Sequence, residues 1–189
     1  MRVFLRDTVT TILIAVIIVF GLQAVVQKFV VLGTSMNFTL RDGQHVLANK
    51  VVYKFHEPER GDVIIFHPPD NQKDDYVKRI IGLPGESIEI KDREVYINGS
   101  KLSEPYIKDP PEYTLKRQIP ENEYFVLGDN RNNSSDSHNG WTLPRQNIVG
   151  KAWLSIWPPD KWGLVGLHYL LIDDTIADNM RIASDFFTV

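Results

Sequence analysis

The chain opens with a long apolar stretch and then changes to short alternating segments. Residues 8–27 include no charged side chain. As an α-helix rising about 1.5 Å per residue they would span roughly 30 Å, the thickness of the hydrocarbon core of a bilayer. The pattern therefore predicts one transmembrane helix over residues 8–28. A cleaved signal peptide is the alternative, but its apolar core is usually about 7–15 residues long, and no clear small-x-small cleavage site follows here.

The charges around this stretch predict its orientation. Arg2 and Arg6 precede it, so the positive-inside rule places the N-terminus in the cytoplasm and the following domain outside a cell membrane crossed once. Asp7 and Lys28 make the asymmetry modest. The resulting division has a cytoplasmic N-terminus at 1–7, an anchor at 8–28, one β-rich domain at 29–161 and a tail without an assigned function at 162–189.

Beyond the anchor, short β-rich segments alternate with turns that contain Pro, Gly, Asp and Asn. The predicted strands are 46–53, 62–66, 76–81 and 124–128, and residues 88–90 and 95–97 form a hairpin around Asp92 and Arg93. The polar, proline-bearing segments 54–59 and 105–120 are predicted surface connections. The predicted fold class is mainly β, an antiparallel β-sheet domain behind one N-terminal transmembrane helix, with Trp153 in its core.

Composition excludes several classes of function. The chain has 21 Lys and Arg against 24 Asp and Glu, so it lacks the basic field that nucleic acid requires, and nucleic acid is not an expected partner. The absence of cysteine excludes disulfides, thiolate metal ligands and a cysteine nucleophile, and it is compatible with an oxidising compartment. We predict no zinc site, because no HExxH pattern or close ligand pair occurs among His45, His56, His67, His138 and His168.

A serine and a lysine carry the candidate chemistry. Ser35 follows the anchor by a few residues, and Lys78 lies among apolar residues in the predicted strand 76–81. A serine hydroxyl needs a neighbouring base, and lysine serves when its pKa falls from ~10.4 towards ~7–8, which burial can cause. Alone, each is most simply a surface serine or a solvated lysine. The combination predicts a Ser-Lys hydrolase at the bilayer surface.

Three separated segments share one resemblance. They are Gly-Thr-Ser-Met-Asn-Phe-Thr-Leu at 33–40, Tyr-Val-Lys-Arg-Ile-Ile-Gly-Leu-Pro-Gly-Glu at 76–86, and Gly-Asp-Asn-Arg-Asn-Asn-Ser-Ser-Asp-Ser at 128–137. In this order and spacing, the chain resembles the bacterial type I signal peptidases. Arg-Gly-Asp-Val-Ile at 60–64, Asn-Gly at 98–99 and Glu-Pro-Tyr at 104–106 extend the resemblance, which runs from the anchor to about Pro158.

The resemblance implies a membrane-bound serine endopeptidase that removes signal peptides from exported preproteins and cuts after small residues. Ser35 would be the nucleophile and Lys78 the general base, on a fold of packed antiparallel sheets without a metal or organic cofactor. Its partners would be secretory preproteins and the lipid bilayer. Ser134 is implied to hydrogen-bond the Lys78 amine.

Further roles follow from the same resemblance. The ionic set that holds the catalytic strands in register would comprise Arg79, Asp129, Arg131 and Asp136. Met36 and Phe38 are expected next to the substrate or the membrane. A tetrahedral oxyanion needs fixed donors. Gly33 has no side chain to offer, so the backbone N–H of Ser35 is the expected contributor, and no second donor is predicted.

Two positions depart from the family pattern. Phe38 stands where proline is usual, and His138 stands where arginine is usual, so a permanent cation is replaced by one that titrates near neutrality. These departures and the tail motivate an alternative: a non-catalytic, membrane-anchored β-domain that binds exported segments. Self-cleaving Ser-Lys repressors are a weaker comparison, because they require a DNA-binding domain where this chain has its apolar stretch.

Overall fold

The computed structural model describes residues 2–70 and 73–166. Over these residues the chain forms one α-helix, twelve β-strands and several short 3-10 turns. The helix and strands are α1 Arg2–Val25, β1 Val26–Val30, β2 His45–Asn49, β3 Val63–Phe66, β4 Tyr76–Gly82, β5 Ser87–Lys91, β6 Glu94–Ile97, β7 Ser100–Lys101, β8 Leu115–Gln118, β9 Glu123–Leu127, β10 Leu143–Pro144, β11 Ile148–Trp157 and β12 Gly163–Leu164.

Helix α1 is long and apolar enough to cross a membrane. Its segment Arg6–Val25 spans 20 residues with a mean hydropathy of 2.4, and none of that segment is buried against the rest of the chain. The helix ends earlier than predicted, because Val26, Gln27 and Lys28 pair with β2 in the first strand, opposite Asn49, Ala48 and Leu47. The backbone of these residues is therefore bonded in a sheet ladder rather than in a helix.

The strands of the described residues form two antiparallel sheets. The larger sheet has the order β1-β2-β11-β3-β4-β9-β10, with β12 added to β11, and the smaller has the order β7-β6-β5-β8. Ile81 of β4 and Phe125 of β9 share a buried apolar cluster with Ile88, Ile90 and other residues of the smaller sheet. This shared core packs the smaller sheet against one end of β4 and β9, the strands that lead to the candidate site.

The mainly β fold and the hairpin are confirmed. Strands β5 and β6 pair around Asp92 and Arg93, whose φ angles of 52° and 65° are those of a tight hairpin turn. The strand predicted over 46–53 ends earlier, at Asn49. Its side-chain oxygen accepts the backbone N–H groups of Val51 and Val52 at 3.0 Å each, and this turns the chain into a 3-10 segment.

The predicted connection over 105–120 contains strand β8, which pairs with β5. The long strand β11 was not predicted, although it joins β2 to β3 in the larger sheet. The prediction that Trp153 lies in the core is wrong, since 46% of its surface is exposed. A register shift between Ala152 and Leu154 interrupts the alternation there, and the buried positions nearby are Ala152 and Ser155. Residues 167–189 of the predicted tail lie outside the described residues.

Candidate active site

The serine lies on a tight turn between β1 and β2. Within this turn, the backbone N–H of Asn37 donates to the carbonyl of Thr34 at 3.0 Å, and that of Leu40 donates to the carbonyl of Met36 at 2.8 Å. Gly33, at the start of the turn, has a φ of +85°, which glycine adopts easily. Its N–H donates to the carboxylate of Asp42 at 2.7 Å. The sequence thus folds residues 33–42 into a rigid turn that presents Ser35.

The lysine comes from β4, which lies between β3 and β9 in the larger sheet. Only 4% of the surface of Lys78 is exposed. Its Nζ lies 2.7 Å from Ser35 Oγ and donates a second hydrogen bond to the Val77 carbonyl at 2.9 Å. The structure therefore brings Ser35 and Lys78, 43 residues apart in sequence, within direct hydrogen-bond reach.

The surroundings of Lys78 make its amine a weaker base than usual. Burial lowers the pKa of Lys78 from the ordinary 10.5 to about 8, although the negative charges of Asp136 and Asp129 act to raise it. Desolvation disfavours the charged ammonium, so it outweighs the two carboxylates. Near pH 8 a large fraction of the amine is neutral and able to accept a proton from a serine hydroxyl.

A loop that follows β9, residues 128–138, packs directly on the serine turn. The N–H of Asn130 donates to the carbonyl of Ser35 at 3.0 Å. Gly128 allows this approach, because a Cβ there would lie 2.4 Å from the Ser35 carbonyl oxygen and 2.3 Å from Ser134 Oγ. A larger residue at this position would displace the serine turn or the loop.

Arg79 and Asp129 form a fully buried ion pair between β4 and this loop. Two hydrogen bonds join them, Nε to Oδ1 at 2.9 Å and Nη2 to Oδ2 at 2.7 Å, and both side chains have 0% exposed surface. Thr39 of the serine turn donates a short hydrogen bond to the same carboxylate. Residues 39, 79 and 129 therefore tie together the three segments that carry the candidate site.

Asp136 and His138 form a second pair on the loop. The carboxylate of Asp136 is buried and accepts the N–H of Gly128 at 2.9 Å. Its other oxygen lies 2.7 Å from Nδ1 of His138, whose ring stacks on Tyr113 at a centroid distance of 4.5 Å. The position that usually carries arginine thus still contacts the acidic residue of the loop.

The contacts predicted for Ser134 and Met36 take a different form, whereas the placement of Phe38 next to the substrate or the membrane stays a prediction. Ser134 is next to Gly128, but its buried hydroxyl has no hydrogen-bond partner among the described residues, so the bond predicted to Lys78 is not formed. The lysine amine bonds Ser35 and the Val77 carbonyl instead. Met36 has 0% exposed surface and packs in the core rather than next to substrate or membrane. Phe38 is 46% exposed and lines a separate depression with Trp162 and Leu164.

A cleft of about 670 Å³ opens over the dyad. Part of its wall is apolar, with Val31, Val46, Ile65 and Val77. Ser35, Lys78, Thr34 and Asn133 contribute polar groups to the same lining. An extended peptide is a suitable occupant, because the apolar part of the wall can contact its side chains while the polar groups can bond its backbone.

Some residues of the site were not singled out from the sequence. Asn130 and Asn133 contact the serine turn, and Glu104 makes two hydrogen bonds to the buried guanidinium of Arg131, at 2.8 and 2.6 Å. These residues lie within the segments that carry the resemblance, but their contacts depend on the tertiary fold. Within residues 2–70 and 73–166, no group of three or more His, Cys, Asp or Glu side chains is placed to hold a metal ion.

Comparison with known proteins shows the family of this chain. The family model described as signal peptidase, peptidase S26, matches residues 5–157. The chain belongs to this signal peptidase family. It is 37% identical over 172 residues to a probable signal peptidase I-1 of Synechocystis sp., covering 86% of this chain and 88% of that protein.

Two other relatives of the family have similar identity. Signal peptidase I of Leptolyngbya laminosa is 38% identical over 171 residues, which cover 86% of this chain and 84% of that protein. Signal peptidase IB of Staphylococcus aureus is 36% identical over 178 residues, which cover 84% of this chain and 92% of that protein. The predictions of a signal peptidase and of an enzyme are therefore confirmed. The alternative of a non-catalytic binding domain has no comparable support.

Proposed function

We propose that this signal peptidase cleaves N-terminal signal peptides from exported preproteins with Ser35 as nucleophile and Lys78 as general base. The observation that carries the proposal is the 2.7 Å contact between Lys78 Nζ and Ser35 Oγ at the floor of an open cleft. The lowered pKa of Lys78, about 8, supports its use as a base.

The reaction proceeds in two halves. The neutral amine of Lys78 takes the hydroxyl proton of Ser35 as Oγ attacks the carbonyl carbon of the scissile peptide. The resulting ammonium gives this proton to the leaving amine, which departs as the new N-terminus of the mature protein. Water, deprotonated by the neutral amine, then attacks the ester that joins the signal peptide to Ser35, the ester bond to Oγ breaks, and the ammonium returns the proton to Oγ.

The attack of Ser35 also creates an oxyanion, which needs hydrogen-bond donors. The backbone N–H of Ser35 is a candidate donor, because it has no hydrogen-bond acceptor among the described residues. The N–H of Gly33 is already bonded to Asp42. Arg79, Asp129 and Asp136 position the serine turn and the loop, and Ser134 lies next to Gly128 without a hydrogen bond to the Lys78 amine. The proposal gives Met36 a packing role in the core.

The membrane topology belongs to the same proposal. Arg2 and Arg6 favour a cytoplasmic N-terminus, helix α1 crosses the membrane once, and the β-domain faces the opposite side. Strand β1 follows the helix without a linker, and its residues Phe29 and Val30 line the cleft. This continuity supports cleavage close to the membrane surface, where the end of an inserted signal peptide emerges.

The test is to incubate the purified full-length protein, in detergent micelles, with a preprotein and to sequence the product. A single new N-terminus after a small residue is expected from the wild type, and none from Ser35→Ala. The exposed Ser100→Ala variant serves as the matched control and should cleave normally. Equal cleavage by wild type and Ser35→Ala would reject Ser35 as the nucleophile.

The family resemblance implies small residues at two substrate positions, and the apolar part of the cleft wall supports this rule. Preproteins with Ala at the first and third positions before the cut should be processed, whereas Phe at both positions should prevent cleavage. If the Phe substrate were cut as efficiently as the Ala substrate, the proposed specificity would be wrong.

A further inference from the structure

Thr34 presents a hydrogen-bond donor to the catalytic cleft that the proposed mechanism does not yet use. It directly precedes the nucleophile, is exposed, and lines the same cleft as Ser35 and Lys78. Its Oγ1 accepts a hydrogen bond from Nδ2 of Asn133 at 3.1 Å. Among the described residues the hydroxyl proton of Thr34 has no acceptor, so it remains available to a bound substrate.

The backbone of Thr34 is fixed at the same time. Its carbonyl accepts the N–H of Asn37 at 3.0 Å and the side-chain amide of Asn130 at 3.1 Å. With Asn133 on the hydroxyl, two asparagines of the loop hold this residue. A donor that is already oriented before the reaction stabilises developing charge without reorganisation at the moment of attack.

The proposed reaction requires a hydrogen-bond donor in addition to the Ser35 N–H. A tetrahedral intermediate places a negative charge on the former carbonyl oxygen, and such an oxyanion is usually stabilised by more than one donor. Gly33 has no side chain, and its N–H is bonded to Asp42. The Ser35 N–H is the backbone candidate, and the Thr34 hydroxyl is a second donor in the adjacent residue.

We propose that the Thr34 hydroxyl, oriented by Asn133, donates a hydrogen bond to the oxyanion that forms when Ser35 attacks the scissile carbonyl. Thr34 would then be a catalytic residue and Asn133 a positioning residue that acts through it. This inference rests on the proposed function of Ser35, and the experiment below separates the two.

The experiment measures kcat and KM of the full-length protein in detergent micelles on a synthetic peptide that spans a cleavage site, with Ala at the first and third positions before the cut. Thr34→Val removes the donor at nearly constant size, and Thr34→Ser keeps it. For Thr34→Val we expect kcat to fall by about 100-fold with KM nearly unchanged, as for the loss of one oxyanion donor. Thr34→Ser should retain most of the activity. The exposed Thr114→Val variant controls for the substitution itself.

Asn133 gives a second, independent readout. Asn133→Leu should lower kcat less than Thr34→Val does, and the double variant should be no slower than Thr34→Val alone, because both changes act on one donor. Thermal melting of each variant verifies that the fold is retained, and Thr34→Ala provides a second donor-free variant if Thr34→Val does not fold.

Three results would overturn the inference: a kcat of Thr34→Val close to that of the wild type, an equal loss in Thr34→Ser, or a loss confined to KM. Cleavage by the wild type together with inactivity of Ser35→Ala would still uphold the proposed function in each of these cases. An inactive wild type would instead reject the proposed function.

Discussion

The protonation state of one amine sets the pH range of the proposed reaction. Lys78 acts as a base only when neutral, and burial lowers its pKa to about 8. We expect kcat/KM to rise about tenfold per pH unit below this value and to level off above it. Initial rates on a short peptide from acidic to alkaline pH measure this limb. A rate that does not change across pH 8 would contradict the assignment of Lys78 as the base.

Phe38 shows how one departure from the family pattern alters the backbone beside the nucleophile. Its φ is +86°, in the left-handed region that an aromatic residue rarely adopts. Proline, the residue usual at this position, fixes φ near −65°. We therefore expect Phe38→Pro to destabilise the domain, whereas Phe38→Gly should stabilise it by about 1 kcal/mol.

Thermal or urea unfolding in detergent measures both effects. Phe55 provides the matched control, because it is also exposed but has an ordinary φ of −117°. Phe55→Gly should lower stability through the greater freedom of glycine in the unfolded chain. Equal effects of glycine at positions 38 and 55 would show that the backbone of Phe38 is not strained.

At the scale of elements, one buried ion pair and one aromatic ring join the segments of the candidate site to the loop between β7 and β8. Both carboxylate oxygens of Glu104, in this loop, accept hydrogen bonds from Arg131 of the loop at 128–138, and Arg131 has 0% exposed surface. The ring of Tyr106 lies 4.0 Å from the guanidinium carbon of Arg79 and 5.9 Å from that of Arg131. One aromatic ring therefore contacts both buried cations.

Glu104→Gln would leave the charge of Arg131 buried and unpaired. We therefore expect this variant to destabilise the domain by about 3 kcal/mol. The exposed pair between Glu94 and Lys101 is the control. Glu94→Gln should change stability by less than about 1 kcal/mol. Similar unfolding free energies for both variants would contradict a structural role for the buried pair.

The sequence predicted those elements whose local pattern decides their structure. The β5–β6 hairpin combines regular alternation of apolar and polar residues with a turn at Asp92 and Arg93, and strands β3 and β4 coincide with largely apolar segments. Strand β11 was missed because register shifts break its alternation and leave Trp153 and Trp157 exposed. The first three residues of β1, 26–28, were assigned to the anchor because Val26 continues the apolar stretch after Val25, although Val26 already pairs with β2.

The same distinction applies to the site. The types and spacing of Ser35 and Lys78 predicted a pair, and the fold places them in contact. The lack of a hydrogen-bond partner for Ser134 Oγ among the described residues and the orientation of Thr34 by Asn133 both depend on how the loop at 128–138 packs against the serine turn, which no local pattern encodes.

At the scale of the whole molecule, the strand that follows the anchor is part of the catalytic domain. Removing residues 1–24 spares β1, whereas removal through Lys28 would delete half of a strand that pairs with β2 and lines the cleft. We expect the shorter truncation to cleave soluble peptides while processing membrane-inserted preproteins poorly, because the anchor raises the local substrate concentration. The longer truncation should be less stable. Cleavage rates of the full-length protein and of both truncations, each on a soluble peptide and on a membrane-inserted preprotein, test these expectations. Equal processing of the inserted preprotein with and without the anchor would contradict the proposed role of the anchor.

The central claim is that Ser35 and Lys78 act as one catalytic unit. Its most direct test is the cleavage rate of a preprotein by the full-length wild type, Ser35→Ala, Lys78→Ala and the double variant, with the exposed Lys91→Ala as the lysine control. The account predicts that both single variants lose essentially all activity, that the double variant is no slower than either, and that Lys91→Ala cleaves normally. Substantial cleavage by Ser35→Ala or Lys78→Ala in a correctly folded protein would contradict it.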